Sequence, residues 1–277
     1  MPDLDLATLH ARRLEAWRQT PDTHITGPDK AIPLIERLGF VTLYPVSPEL
    51  PNLYHAYVGD STQPTDSKWD SPAGQVYGWR WTLGRQKVAF YTALVKKRST
   101  WVSWALLPAV LRLWGELRMP DELYDNRLLT PEAYRIAKAL DDAGHPLSTG
   151  ELRVRAGFPT GKEQRTAYLK AVEELETRLL LAKVFEEDKE DAYHTLVADR
   201  YREHVDAAER LTRESALDAF LAAYLPAAAY ALPTPLAKHL KLPDAELSAA
   251  LDRLVAAGHA ERAAFDGVKG VSYVWVD

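Results

Sequence analysis

The sequence predicts a mainly α chain with small β-hairpins, in which a unit of three helices followed by a hairpin recurs. Three observations carry this. Helix caps and stops divide residues 130–196 into three helical runs and two β-rich runs. A looser version of the same order fills residues 213–276. Within both stretches the apolar spacing changes from the helical period to strand-like alternation just before the unit ends.

The N-terminal part is the least regular. Helices are expected over roughly 6–19 and 28–38, with FVTL as a strand after Gly39. The Pro/Ser/Thr-rich stretch from Tyr44 to Pro72 reads mostly as loop. YGWRWTL reads as a short aromatic strand with Trp79 and Trp81 on one face, followed by helices near 84–97 and 103–115.

The second unit is clearer. Thr130 before Pro131 is an N-cap with proline at the first helical position, and Gly144 is the stop. Ser148 and Glu151 form a capping-box pattern, and Thr160 with Glu163 repeats it. The third helix carries Tyr168, Val172, Leu175 and Leu179 on one face. LLLAKVFEE and AYHTLVA follow as strands around an acidic turn. In the third unit the helices fall at 213–225, TPLAKHLKL and 243–257, and HAERAAF with VSYVWV closes the chain as a hairpin. Three helices and a hairpin is the winged helix-turn-helix order. The expected division is therefore a winged-helix-like domain over 1–127 with a basic aromatic insertion, a second winged helix over 128–206 and a third over 207–277.

Composition narrows the function classes. A chain of 277 residues is long enough for several small domains, and 47% apolar with 26% charged residues is an ordinary globular balance. Absence of cysteine excludes disulfides, thiolate metal sites and cysteine nucleophiles. MPDLDLATLHARR has acids where a signal peptide has bases, and no run approaches the ~20 apolar residues of a membrane span. A cytoplasmic protein without a membrane partner is expected. The eight histidines are scattered without ligand spacing, so no metal is expected. No Gly-rich phosphate loop and no G-x-S-x-G occurs, so no cofactor is expected either.

Net charge is −5, but it is unevenly spread. Residues 71–115 contain no acid and seven bases: Arg80, Arg85, Lys87, Lys96, Lys97, Arg98 and Arg112. Five of the eight tryptophans lie there too, including Trp79 and Trp81. Cations that track phosphate, with aromatics able to stack on a base, make this segment the expected contact for duplex DNA. If 84–97 is helical, Val88, Tyr91, Leu94 and Val95 face a core while Arg85 and Lys96 share the opposite side. The bland alternative is a Trp-rich core beneath a solvated basic face. Helices positioned to read the major groove are poor in bases: Lys162 and Lys170 stand among Glu163, Glu173 and Glu174, and the third unit offers Asp244, Glu246 and Asp252. The turn EEDKED, 186–191, is acidic enough to suit a basic protein partner rather than DNA.

IERLGFVTLYPV, WRWTLGRQKVAFYTALVKKRSTWVSWALLP and LTPEAYRIAKALDDAGHPLSTGELR together resemble the AlkZ/YcaQ-related winged-helix DNA glycosylases. The resemblance implies tandem winged helices forming a concave DNA-binding surface, and release of alkylated bases by the active members. In those members a Gln-x-Asp or Gln-x-Gln tripeptide places the hydrolytic water. The matching positions here are Thr42 and Tyr44, neither of them a useful general base near pH 7. Glu49 and Asp60 are the acids near enough in sequence to substitute. Three functions stay open at this point. The chain is a binder of damaged or distorted duplex DNA without chemistry, a glycosylase with a relocated acid, or a protein-interaction or transcription-regulatory scaffold.

Overall fold

A computed structural model describes residues 5–66, 68–187, 189 and 191–276. Its architecture is mostly helical with small antiparallel sheets. The first stretch runs α1 (Leu6–Ala16), α2 (Pro28–Leu38), β1 (Phe40–Thr42), α3 (Leu53–Val58), α4 (Pro72–Arg85), β2 (Phe90–Val95), β3 (Arg98–Val102), α5 (Leu107–Trp114) and α6 (Pro120–Asp125). The strands form a sheet in the order β1-β3-β2, with Val41 opposite Trp101, Tyr91 opposite Trp101, and Thr42 and Thr92 flanking Thr100.

Two sequence expectations fail here, for local reasons. YGWRWTL is not a strand but the second half of α4. Ser71 caps that helix by accepting from the Gly74 amide, and Pro72 opens it. Its buried residues, Ala73, Val76, Trp79 and Leu83, follow helical spacing, whereas the alternation of Trp79 and Trp81 imitates a strand. Trp81 is on the flank of the helix, only partly buried. Nor is 84–97 a helix. The chain turns after Arg85 and enters the hairpin β2–β3, closed by Lys96 and Lys97 with φ of 46° and 60°. A two-residue hairpin turn with positive φ at both positions favours Asn-Gly, so Lys-Lys gives no warning of it. The stretch 44–72, read as loop, also contains the short helix α3.

The middle stretch runs α7 (Pro131–Ala143), β4 (Leu147–Ser148), α8 (Thr149–Arg155), α9 (Lys162–Thr177), β5 (Leu181–Phe185) and β6 (Ala192–Leu196), followed by α10 (Val197–Arg200) and α11 (Arg202–Arg210). The expected caps at Thr130 and Ser148 are present, and the Ser148–Glu151 box is reciprocal. At α9 the N-cap is Gly161, without a side-chain cap, so the expected Thr160–Glu163 box does not form. Ile136, Leu140, Leu152, Tyr168 and Leu175 build a separate core beneath the sheet β4-β6-β5.

The last stretch runs α12 (Arg213–Ala228), β7 (Tyr230–Ala231), α13 (Pro233–Leu240), α14 (Asp244–Ala256), β8 (Ala260–Ala263) and β9 (Ser272–Trp275), with sheet order β7-β9-β8. Its core is continuous with that of the first stretch. Phe40 meets Phe220 edge-on at 5.8 Å, and Trp114 donates its indole N–H to the Leu240 carbonyl at 2.8 Å. Residues far apart in sequence thus fix the surroundings of β1.

Candidate nucleic-acid interface

Strand β1 and the loop that leaves it carry the positions matched to the glycosylase tripeptide. Thr42 is fully buried in the threonine row of the sheet. Its hydroxyl donates within the loop, towards the carbonyls of Tyr44 (2.8 Å) and Pro51 (3.1 Å), so it faces no cleft. Tyr44 is half-buried and does line a cleft. Its phenol donates to the Ala73 carbonyl at 2.8 Å, and burial raises its pKa further above the ordinary value. Neither side chain can take a proton from water.

The two substitute acids are occupied differently. Glu49 is buried and pairs with Arg13 at 3.1 Å. That guanidinium, completely enclosed, also donates to the carbonyls of Ala228 (2.9 Å) and Tyr230 (2.5 Å). The Glu49 carbonyl accepts from the Tyr224 hydroxyl at 2.8 Å, pinning the loop to α12. Glu49 is therefore a strut. Asp60 is exposed and accepts from the amide and hydroxyl of Thr62, bonds that hold its carboxyl below its ordinary pKa. A carboxylate made harder to protonate is a weaker base.

The cations of the acid-free segment do not form one strip. Arg85, at the end of α4, donates to the backbone carbonyls of Glu186 (3.3 Å) and Lys189 (2.8 Å) across the middle unit. Lys97 pairs with Glu173 of α9. Arg80 lies over the Tyr77 ring at 3.3 Å, partly buried, and that burial lowers its pKa while Tyr91 and Tyr44 beside it act in the opposite sense. Lys87, Lys96 and Arg98 are exposed, the last two at the tip of the β2–β3 hairpin. Trp79 is buried against Tyr57; Trp81 is half-buried, packed edge-to-face with Phe185 at 5.0 Å and covered by the Arg80 and Arg85 guanidinium groups at 5.2 and 5.6 Å, so neither indole named from the sequence is openly presented to a base.

The joint between α4 and the middle unit explains why Arg85 and Lys97 are spent. Phe185, at the end of β5, lies against Trp81, Tyr91 and the backbone of Gly84. A Cβ at position 84 would come within 2.2 Å of the Phe185 ring, so glycine permits this approach. The turn expected to present acids to a partner is tethered to Arg85 through the backbone carbonyls of Glu186 and Lys189, while the Glu187 and Asp191 side chains are exposed. Asp188 and Glu190 lie outside the described residues. The acids of the third unit are also paired: Glu246 with Arg213, Asp252 with Arg262, and Asp244 with the Thr234 hydroxyl.

What sequence reasoning passed over is Trp69. It is 72% exposed, while each of the other seven tryptophans is buried or partly buried. With Tyr44, Lys68, Tyr77 and Arg98 it lines a cleft of about 460 Å³. Its ring meets Tyr77 edge-to-face at 6.0 Å. The available signal was a tryptophan inside a Pro/Ser/Thr-rich loop, where no core requires one. It falls two residues outside the acid-free window, beside Asp66 and Asp70, and so is invisible to a charge scan. Among the described residues no cluster of His, Asp and Glu has the arrangement of a metal site, and no helix is long and apolar enough to cross a membrane.

A helical scaffold with small sheets, and a cleft at the end of β1 edged by cations, define a class that comparison with known proteins identifies. The model of the AlkZ-related family matches residues 25–240, and the chain belongs to that family. A solved structure described as the Streptomyces sahachiroi DNA glycosylase AlkZ shares the fold, with a TM-score of 0.60 and 15% identity over 99% of this chain and 70% of that one. No curated protein matches the chain.

Proposed function

We propose that this member of the AlkZ-related family binds damaged or distorted duplex DNA and does not excise a base. The observation that carries the reading is the state of β1. Where an active glycosylase needs a carboxylate or amide at a cleft, this chain offers a phenol already donating to Ala73 and a threonine sealed in the sheet. Base release develops positive charge on the sugar, which an aligned carboxylate stabilises. Glu49 is held by Arg13, and Asp60 is drawn into its own turn. Neither of the two substitute acids named from the sequence is therefore both free and basic.

Membership of the family supports DNA as the partner, as do Lys68, Lys96 and Arg98, exposed around the cleft and the neighbouring hairpin. In this reading the orders α7-β4-α8-α9-β5-β6 and α12-β7-α13-α14-β8-β9 are winged helix-turn-helix units that serve as scaffold. The scaffold role follows from their paired acids and from α9 facing the hairpin through Glu173. A cytoplasmic setting agrees with action on DNA. The acidic turn is the weaker candidate for a protein partner, because Arg85 and Phe185 already engage it.

The test combines binding and chemistry. Affinity for duplex should fall with salt, with a slope of log K against log salt near −3 if about three phosphates are neutralised. Under single-turnover conditions with excess protein, no N7- or N3-alkylated purine should be released. Release by the wild type would overturn the non-catalytic reading, and absence of any DNA binding at low salt would overturn the reading as a whole.

A further inference from the structure

We infer that the cleft beside Tyr44 receives a single unstacked nucleotide of a DNA strand, and that Trp69 is the surface on which its base lies. This rests on the DNA-binding reading above and adds the form of DNA that is selected.

An indole 72% exposed is apolar area that folding leaves in water, yet this one is not on a loose tether. The Ser71 hydroxyl donates to the Lys68 carbonyl at 2.6 Å, and its oxygen caps α4. Gly74 lets the helix start close beneath the Trp69 carbonyl, where a Cβ would approach to 1.9 Å. Contact with Tyr77 sets the plane of the ring. The indole is therefore presented in a fixed orientation before any ligand arrives, which lowers the ordering cost of binding.

The other aromatic groups of the cleft are already used. The Arg80 guanidinium covers a face of Tyr77 at 3.3 Å, and Tyr44 is anchored through Ala73. Trp69 is left as the free π surface. Lys68 and Arg98, exposed at the rim, suit the phosphates on either side of a displaced base. Asp66 accepts from the Lys68 amide at 3.0 Å through one carboxylate oxygen, and the other, 3.9 Å from the Lys68 ammonium, keeps lone pairs able to take an exocyclic amine. A volume of about 460 Å³ accepts one nucleotide rather than a stacked run. A paired base is inside its helix and cannot reach an indole set in a cleft. The cleft therefore favours DNA in which one nucleotide is already out of the stack, since less unstacking is then needed.

The experiment compares two fluorescein-labelled duplexes, one perfectly paired and one with a single-nucleotide bulge, by anisotropy titration of the whole protein. Base–aromatic stacking predicts that the wild type prefers the bulge roughly tenfold. In Trp69→Ala the ratio of the two affinities should fall to near one, and Trp69→Phe should restore most of it, with unchanged circular dichroism in both. Equal binding of the two duplexes by the wild type would overturn the inference while the DNA-binding reading stands. So would a bulge preference that persists in Trp69→Ala. Failure of the wild type to bind either duplex would remove the reading and the inference together.

Discussion

Glu49→Gln separates a structural carboxylate from a catalytic one. Arg13 is wholly enclosed, and Glu49 is the carboxylate it pairs with, at 3.1 Å. Breaking a buried pair by removing one member costs roughly 3–5 kcal/mol, because the remaining charge stays in a poor solvent. Arg13 keeps the carbonyls of Ala228 and Tyr230, and glutamine keeps an oxygen, which places the loss at the lower end, about 3 kcal/mol. For a chain of this size the melting temperature should drop by roughly 6–12 °C. Asp60→Asn, in an exposed turn, should change it by no more than a few degrees. The assay is thermal denaturation followed by circular dichroism, with the base-release assay run on the same samples. An unchanged melting temperature in Glu49→Gln would refute the strut. Base release by the wild type that disappears in a thermally intact Glu49→Gln would make it the catalytic acid instead.

Three further outcomes follow from particular contacts. Gly84→Ala drives a methyl into the Phe185 ring and should destabilise by about 1–3 kcal/mol, measured by urea denaturation; a neutral result would mean that β5 does not seat on α4. The exposed Lys97–Glu173 pair should contribute no more than about 1 kcal/mol, so Lys97→Ala with a melting temperature lowered by many degrees would refute the solvent-exposed assignment. His194 is buried beside Lys183, and burial first, then that lysine, lowers its pKa to about 4. The native state therefore resists a proton that the unfolded chain accepts near pH 6.5, and the stabilisation present above pH 6.5 is lost as pH falls toward 4, on the order of 3 kcal/mol in all. His194→Gln should flatten that part of the stability profile, and an unchanged slope would assign the titration to another group.

Much of the middle unit could be read from the sequence because its signals are local. Thr130 bonds an amide three residues away, Ser148 and Glu151 cap each other, and the apolar faces of α7 and α9 repeat within single helices. Membership of the AlkZ-related family was also legible, from segments spread along the chain. The acid-free window was a true feature of composition, but its geometry was not available from composition. A strand-like alternation of two tryptophans belonged to a helix, and a hairpin was hidden by a Lys-Lys turn.

The chemistry of the candidate site was decided by contacts across long stretches of chain. Glu49 is separated by 36 residues from Arg13, and Arg85 by 101 from the Glu186 carbonyl it binds. Such pairings depend on how helices pack, and no local propensity encodes them. The sequence determined that threonine and tyrosine, at 42 and 44, stand at the end of β1 and in the loop that leaves it. Only the tertiary structure decided that the nearby acids are engaged, that two of the cations join units together, and that Trp69 is the indole left facing water. The physical reason is that a side chain's charge and shape are fixed by its identity, whereas its availability is fixed by its neighbours.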